Sequence, residues 1–443
     1  MRNEERLQGT RADPGPCRVR RHSHTTPTRL LNFGLSASTT SIVIDRVFKS
    51  FQYRDFRLMW IGACTSSIGS WMQIMAQAWL VYGLSHNSAF MLGLDAFLGS
   101  IPIFLFSLVG GVMADRFDRR YVLLGSQYVQ MIDATILTVL VFTNTVHVWH
   151  VLLLSFISGL GQAFGGPAYS ALIPTLVKKE DMPNAIALQS IQFNTARIIG
   201  PTIGGLAMAH LGNSWCFGLN ALSFLAPVIT LFMVKTRFSP QKTTDSILTS
   251  MKQGISYVRH REGMQALMVL AFCMTALGIP MMTFLPVFVK RFQGDASTYT
   301  IFLVCSGLGS IVGSLGVAAV GNIPRKGRLA LCLLIGLGAG ISGFALSPSV
   351  AVSGVMLFLS GAALIGVFTM VNSLVQLIVT NEMRGRVMSV YNFAFRGGMP
   401  FGNLLTGRLV EIYTAPFVLA VNGVVLMMVG LYFLLAHRRI AAL

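Results

Sequence analysis

GGVMADRFDRRYVLL, residues 110–124, is the stretch on which the fold turns. Two glycines close an apolar run, Asp115, Arg116, Asp118, Arg119 and Arg120 crowd charge into six residues, and a second apolar run begins at once. A soluble chain spreads its charges over its surface. A tight charged link between two apolar runs instead fits a chain that leaves hydrocarbon only to turn and re-enter it.

The rest of the sequence agrees. Of 443 residues, 53% are hydrophobic and only 11% charged, and the mean hydropathy is +0.64, too apolar for a soluble protein of this size. Apolar segments fall at about 57–83, 89–113, 120–142, 148–174, 184–208, 214–234, 264–289, 298–320, 328–346, 350–378, 385–409 and 415–436, most of them near the roughly 20 residues that cross a bilayer as a helix. The 44 glycines suit close helix packing in lipid. The net charge of +18 lies in the links and forms no continuous patch with interleaved aromatics, which argues against a nucleic-acid partner. Six scattered cysteines form no close pair, so neither a metal site nor a short disulfide is expected.

Residues 1–45, rich in Arg, Pro and Thr, read as a disordered basic tail, and no cleavable signal peptide is visible. The longest polar link, residues 235–263, separates an amino-terminal group of six spans (46–234) from a carboxy-terminal group (264–437), leaving a short tail at 438–443. With both termini cytoplasmic, alternate links hold Arg116, Arg119 and Arg120; Lys178 and Lys179; Lys235 through Arg261; Arg325, Lys326 and Arg328; and Arg384 and Arg386. The opposite links hold Lys290 and Arg291, with Arg408 near a span end. That asymmetry is the positive-inside pattern. The halves also repeat: Ser190 and Ser389, Arg197 and Arg396, and Pro201 and Pro400 match at one offset, in the fifth span of each half. Two similar bundles about an axis along the membrane normal, with a substrate site between them, are the expected architecture.

The opening stretch then becomes a short cytoplasmic link between spans two and three. Gly110 and Gly111 admit a neighbour; Asp115 can cap the next segment or accept from a helix N-terminus across the bundle interface; Arg119 and Arg120 offer fork donors to carboxylates or helix-end carbonyls. A latch that forms when this side closes is the functional reading, and a generic basic loop the bland one. Gly111, Asp115, Arg116, Arg119 and Arg120 fulfil G-x-x-x-D-R-x-x-R-R, in which the chain resembles the major facilitator superfamily from about residue 50 to 437. Asp118 stands where a glycine is usual, as in the branch of bacterial efflux proteins that includes enterobactin and macrolide exporters. The equivalent link of the second half, GNIPRKGR (321–328), lacks the acid. In span five, ARIIGPTIGG (196–205) is similar to that family's antiporter signature, with Gly200, Pro201, Gly204 and Gly205 in place and Ala196 for the first glycine. The resemblance implies export against an ion gradient; small-residue packing is the plainer explanation of the same residues.

An ionisable group within the membrane normally faces a cavity or a partner. Asp95, Asp133, Arg197 and Arg396 are so placed. Asp133 and Arg197 are the expected pair, either a proton-coupling element or a static ion pair; Arg396 serves either an anionic or catecholic substrate group or carbonyls of its own bundle. Among in-span amides, Gln73, Gln192, Asn194, Asn372 and Asn392 are cavity candidates, with interhelical packing as the alternative for each. No phosphate loop of the G-x-x-x-x-G-K-[ST] kind occurs, GLGQAFGG (159–166) lacks the strand that a dinucleotide site needs, HVWH (147–150) reads as an interfacial aromatic belt, and nothing resembles a nucleophile with its base. The sequence therefore predicts an all-α polytopic membrane protein of twelve helices. It is expected to be a monomer of a bacterial inner membrane, without cofactor, that exports an amphipathic small molecule such as a drug or siderophore in exchange for protons. An importer or lipid-handling member of the same fold is the nearest rival, and a membrane receptor or enzyme the more distant one.

Overall fold

A computed structural model of the chain describes residues 48–236, 247–261, 263–320, 325–380 and 382–436. The expected tails at 1–45 and 438–443 lie outside these residues, as does much of the link before Ile247. The described chain is helical throughout. In order run α1 (Arg54–Leu84), α2 (Ala89–Arg116), α3 (Arg119–Phe142), α4 (Val148–Leu176), α5 (Met182–His210), α6 (Asn213–Met233), α7 (Ile247–His260), α8 (Met264–Thr283), α9 (Ala296–Val320), α10 (Lys326–Ala345), α11 (Val350–Ile378), α12 (Arg384–Ile412) and α13 (Ala415–Ala436).

Nine of these helices are long and apolar enough to cross a membrane. The three other long ones, α1, α5 and α12, have 31, 29 and 29 residues and reach about 43–46 Å at 1.5 Å per residue. Their lower hydropathy has a cause visible in the packing. Gln73 and Gln192 are buried on α1 and α5, and Asn403 on α12, so these helices carry polar groups inward, where protein and not lipid meets them. α7, in the central link, packs on the start of α12: a Cβ on Gly254 would lie 2.6 Å from the carbonyl oxygen of Arg386. α8 departs from its single apolar run. A wide π turn over Met274–Gly278 and prolines at 280 and 286 break it, and a short helix, Leu285–Arg291, follows Phe284. Pro removes a backbone donor and cannot sit in an unbroken helix interior without a local adjustment.

The packing partners recur between the two parts of the chain. α1 packs on α5 and α6, α2 on α4, and α3 on α4 and α6; correspondingly α8 packs on α12 and α13, α9 on α11, and α10 on α11 and α13. The cross-contacts obey the same rule, α2 meeting α12 and α9 meeting α5. Each crossing uses glycines. A Cβ on Gly93 of α2 would come 2.6 Å from the carbonyl oxygen of Asn403 and 3.1 Å from Cα of Gly407, and one on Gly200 of α5 would be 2.6 Å from Cβ of Trp71 on α1. Gly204 faces Met72, while Gly205 turns to Thr300 of α9.

Ahead of α1 the chain is pinned to the α4–α5 link. Lys49 pairs with Asp181 at 2.7 Å, Tyr53 and Gln52 donate to the same carboxylate at 2.8 and 3.2 Å, and Ser50 N–H donates to Asn184 at 2.9 Å. The hydrogen bonds from Lys49 and Tyr53 hold the Asp181 carboxyl below the usual carboxylate range, and the same contact holds the Lys49 ammonium above its usual value. A carboxylate with a depressed folded pKa contributes stability above its unfolded pKa and loses it as pH falls through the folded one. The thermal-stability gap between the wild type and Asp181→Ala is therefore expected to be constant from neutral pH down to about pH 4 and to close below it, as differential scanning fluorimetry in detergent can test. The adjacent Gly110 and Gly111 differ in their surroundings. A Cβ on Gly110 would run into the backbone of Ala163 and Phe164 on α4, while one on Gly111 meets nothing within 4 Å. Gly110→Ala should destabilise by about 1–3 kcal/mol through overpacking, and Gly111→Ala should leave the unfolding temperature unchanged.

Candidate functional site

The charged link is built from local chain chemistry. Asp118 is the N-cap of α3, its side chain accepting from Arg120 N–H at 2.9 Å, which gives a reason for an acid where the family pattern has glycine. Arg119 donates to the carbonyls of Ala114 at 3.1 Å and Ala171 at 2.7 Å, at the C-terminal ends of α2 and α4, where cations are favoured. Arg120 does the same for Phe232 at the end of α6, at 2.9 Å, and Arg116 is exposed. Asp115 was expected to cap the next segment or to reach a helix across the interface. In this conformation Asp118 does the capping, and Asp115 sits 3.5 Å from Arg119 one turn away. The link therefore ties together the ends of α2, α4 and α6, and both Gly111 and Gly385, the second residue of α12, would find nothing within 4 Å of an added Cβ.

At its other end α2 is shut against α12. Beyond Gly93 and Gly407, Phe97 and Phe104 meet Phe401 edge-on at 6.2 and 5.9 Å, and Phe104 lies 4.5 Å from Phe393. Glu411, near the end of α12, accepts from the N–H of Phe90 at 2.9 Å and from the Ser88 hydroxyl at 3.2 Å.

Between the two ends lies a buried polar chain. Asp95 of α2 accepts from the Ser155 hydroxyl of α4 and, with both oxygens at 3.1 Å, from the Gln77 amide of α1. Gln73 Nε2 lies 3.5 Å from Gln77 Oε1, and Asn220 of α6 donates to Gln73 Oε1 at 2.6 Å. A carboxylate only accepts, so Gln77 must present its NH₂ to Asp95, its carbonyl to Gln73, and Gln73 its carbonyl to Asn220. One charge orients three amides on two helices. Asp133 of α3 is also buried, 3% exposed, within electrostatic reach of Asp95, and its Oδ1 has no hydrogen-bond partner among the described residues.

Other candidates separate. The expected Asp133–Arg197 ion pair is not formed: among the described residues the ion pairs are Lys49–Asp181 and Asp115–Arg119. Arg197 lies over the Trp71 ring at 5.7 Å, with Phe193 edge-on to the same ring at 5.7 Å, because α5 turns it toward α1, where Gly200 lets the helices close. Its repeat partner Arg396 is exposed, so the sequence match does not carry over to environment. Gln192 is interhelical glue, bonded to Tyr169 of α4 at 2.7 Å and to Ser67 and Ala63 of α1 at 2.8 and 3.1 Å. Asn194 donates back to Ser190 within its own helix at 2.8 Å, Asn372 accepts from Gln376 at 2.6 Å, and Asn392 is exposed. His147 and His150 cap the start of α4. No three His, Cys, Asp or Glu side chains converge among the described residues. Sequence reasoning missed Ser155, Tyr169 and Glu411; only Glu411 left a signal, as a lone acid at the end of span eleven matching the position of Asp115 at the end of span two.

Removing the middle amide tests the chain. Gln77→Ala strips Asp95 of a two-oxygen donor and leaves Gln73 without an acceptor, which should cost about 1–3 kcal/mol in detergent unfolding. Asn194→Ala, whose bond is local to one helix, should cost far less.

Residues 46–441 match the family model described as transmembrane secretion effector, within the major facilitator superfamily. The macrolide efflux protein A of Streptococcus pyogenes is 24% identical over 371 residues, covering 80% of this chain and 89% of its own. The enterobactin exporter EntS of Escherichia coli O1:K1 / APEC is 25% identical over 357 residues, covering 79% and 84%. Among solved structures, a POT family transporter bound to a thioalcohol-conjugated peptide superposes with a TM-score of 0.71 at 12% identity over 87% of this chain and 96% of that one, a likeness of fold. The chain belongs to the transmembrane secretion effector family of the major facilitator superfamily, whose members are membrane transporters.

Proposed function

We propose that this protein is a proton-coupled exporter of an amphipathic small molecule, a drug or a siderophore, working by alternating access in a bacterial inner membrane. One observation carries the coupling: Asp95 and Asp133 are both buried in the amino-terminal part, and no basic side chain pairs with either among the described residues. Two buried acids within electrostatic reach of each other cannot both stay ionised cheaply, so the pair is suited to gaining and losing a proton as access changes. The efflux-named relatives support the direction and the cargo class.

On this reading α1–α6 and α8–α13 form two six-helix bundles, residues 46–234 and 264–437, joined by the loop at 235–263. The recurrence of packing partners between the halves supports the pseudo-two-fold axis. Both termini and the Asp115 link lie on the cytoplasmic side, so the contacts at Ser88, Gly93 and Glu411 close the outer side and the protein is open inward. Closing the inner side would bring the start of α12 to Gly111 and Asp115, where the carboxylate would accept from the N-terminal N–H groups of α12. Arg396 and Asn392, exposed on α12, with Asn194 and Arg197 on α5, then line the cavity that cargo enters. The protein works as a monomer with the bilayer as its solvent.

Proteoliposomes with an imposed proton gradient test this, using a radiolabelled macrolide and a catecholate siderophore as cargo. Uptake into inverted vesicles should collapse with an uncoupler. Asp133→Asn should abolish gradient-driven accumulation while sparing exchange at equal concentrations. Accumulation indifferent to the uncoupler would remove proton coupling.

A further inference from the structure

The contact at the shut end of α2 and α12 has a partner in waiting at the open end. Asp115 and Glu411 are each the last residue but one of their helices, α2 ending at Arg116 and α12 at Ile412. Since Glu411 near the end of α12 reaches the start of α2 at Phe90, the two helices run antiparallel, and each C-terminal end points toward the other's N-terminus. Glu411 is engaged. It accepts from the Phe90 N–H at 2.9 Å and from Ser88, which is itself the N-cap of α2. The first N–H groups of a helix lack intrahelical acceptors and carry partial positive charge, so a carboxylate there forms a charge-assisted bond. Asp115 in the same structure is turned to Arg119, and the space beside Gly111 and Gly385 is empty.

We propose that Glu411 is the positioning residue of the outer gate: its carboxylate holds α12 against the N-terminus of α2 and must release before the outer side opens. Asp115 and Glu411 then act as alternating caps at opposite ends of one antiparallel helix pair, one formed while the other is broken. Rigid helices rocking about the Phe104–Phe393 contact, which lies between the two ends, cannot bring both ends together at once. The outer cap also faces water. A recess of about 380 Å³ lined by Tyr82, His86, Ser88 and Glu411 opens beside it, giving the released carboxylate a hydrated alternative. This inference rests on the alternating-access reading above.

The test is a distance measurement on the full-length protein, with native cysteines replaced by serine and spin labels at Thr145→Cys and Pro348→Cys, which lie on the α3–α4 and α10–α11 links at the outer side. In lipid nanodiscs Glu411→Ala should raise the outer-open population roughly tenfold, with Glu411→Gln between it and the wild type. Phe90→Pro, which deletes the donor N–H in a first turn that accepts proline and leaves Glu411 intact, should reproduce the shift. Wild-type distance distributions in a monodisperse Phe90→Pro and Glu411→Ala would overturn the latch. The distances read the gate without cargo or proton gradient, so failure here with vesicle transport intact condemns the latch alone, and the converse result condemns the transport reading alone.

Discussion

Hydrocarbon offers no hydrogen bonds, and the amino-terminal half of this molecule is arranged around the need to satisfy one carboxylate inside it. Asp95 accepts from Ser155 and Gln77, and because a carboxylate can only accept, the orientation of Gln77, Gln73 and Asn220 follows from its charge. These residues belong to α2, α4, α1 and α6. That one acid therefore also fixes how four helices sit against one another, since any rotation that withdraws one amide leaves a buried polar group without a partner.

Glycine does the corresponding work at the crossings. α2 approaches α12 at Gly93 and Gly407, α5 approaches α1 at Gly200, and α5 meets α9 at Gly205. In a membrane, close backbone approach supplies the dispersion contact that the hydrophobic effect supplies in water. Gly111 and Gly385 are among several glycines whose added Cβ would meet nothing within 4 Å; on the proposed reading these two touch when the inner side closes.

The sequence announced the helices well because apolar runs of bilayer length have few other uses: the span expected at 350–378 and the helix Val350–Ile378 have the same bounds. The segments at 57–83, 184–208 and 385–409 likewise fall within α1, α5 and α12, although inward polar residues lower the hydropathy of these helices, which carry most of the candidate site. Side-chain partners were the hardest to read. Asp133 and Arg197 invited pairing by depth and charge, yet depth along a helix says nothing about azimuth, and α5 points Arg197 at Trp71. Asp118 looked like a departure from a motif and is an N-cap, a role legible in its position just before the apolar run of α3. Ser155, one hydroxyl among many in a long apolar helix, gave no sequence signal; only the fold brings it to Asp95.

Proton coupling needs the protonation state of an acid to be felt by the helices that move, and the amide chain provides that connection on the proposed reading. A protonated Asp95 becomes a donor. Gln77, which now gives its NH₂ to both oxygens, must then offer its carbonyl or lose a contact, and its reversal would turn the acceptor that Gln73 uses into a donor. The change passes from α2 through α1 to Asn220 of α6 without any long-range motion being required. On the same reading α2 is also the helix whose inner end carries Asp115 and whose outer end carries the Phe90 N–H bound by Glu411. A shift in the fit of α2 against α1 and α4 therefore acts on the one helix that both gates share, so the energy of a proton bound in the interior can bias which end of α12 it holds.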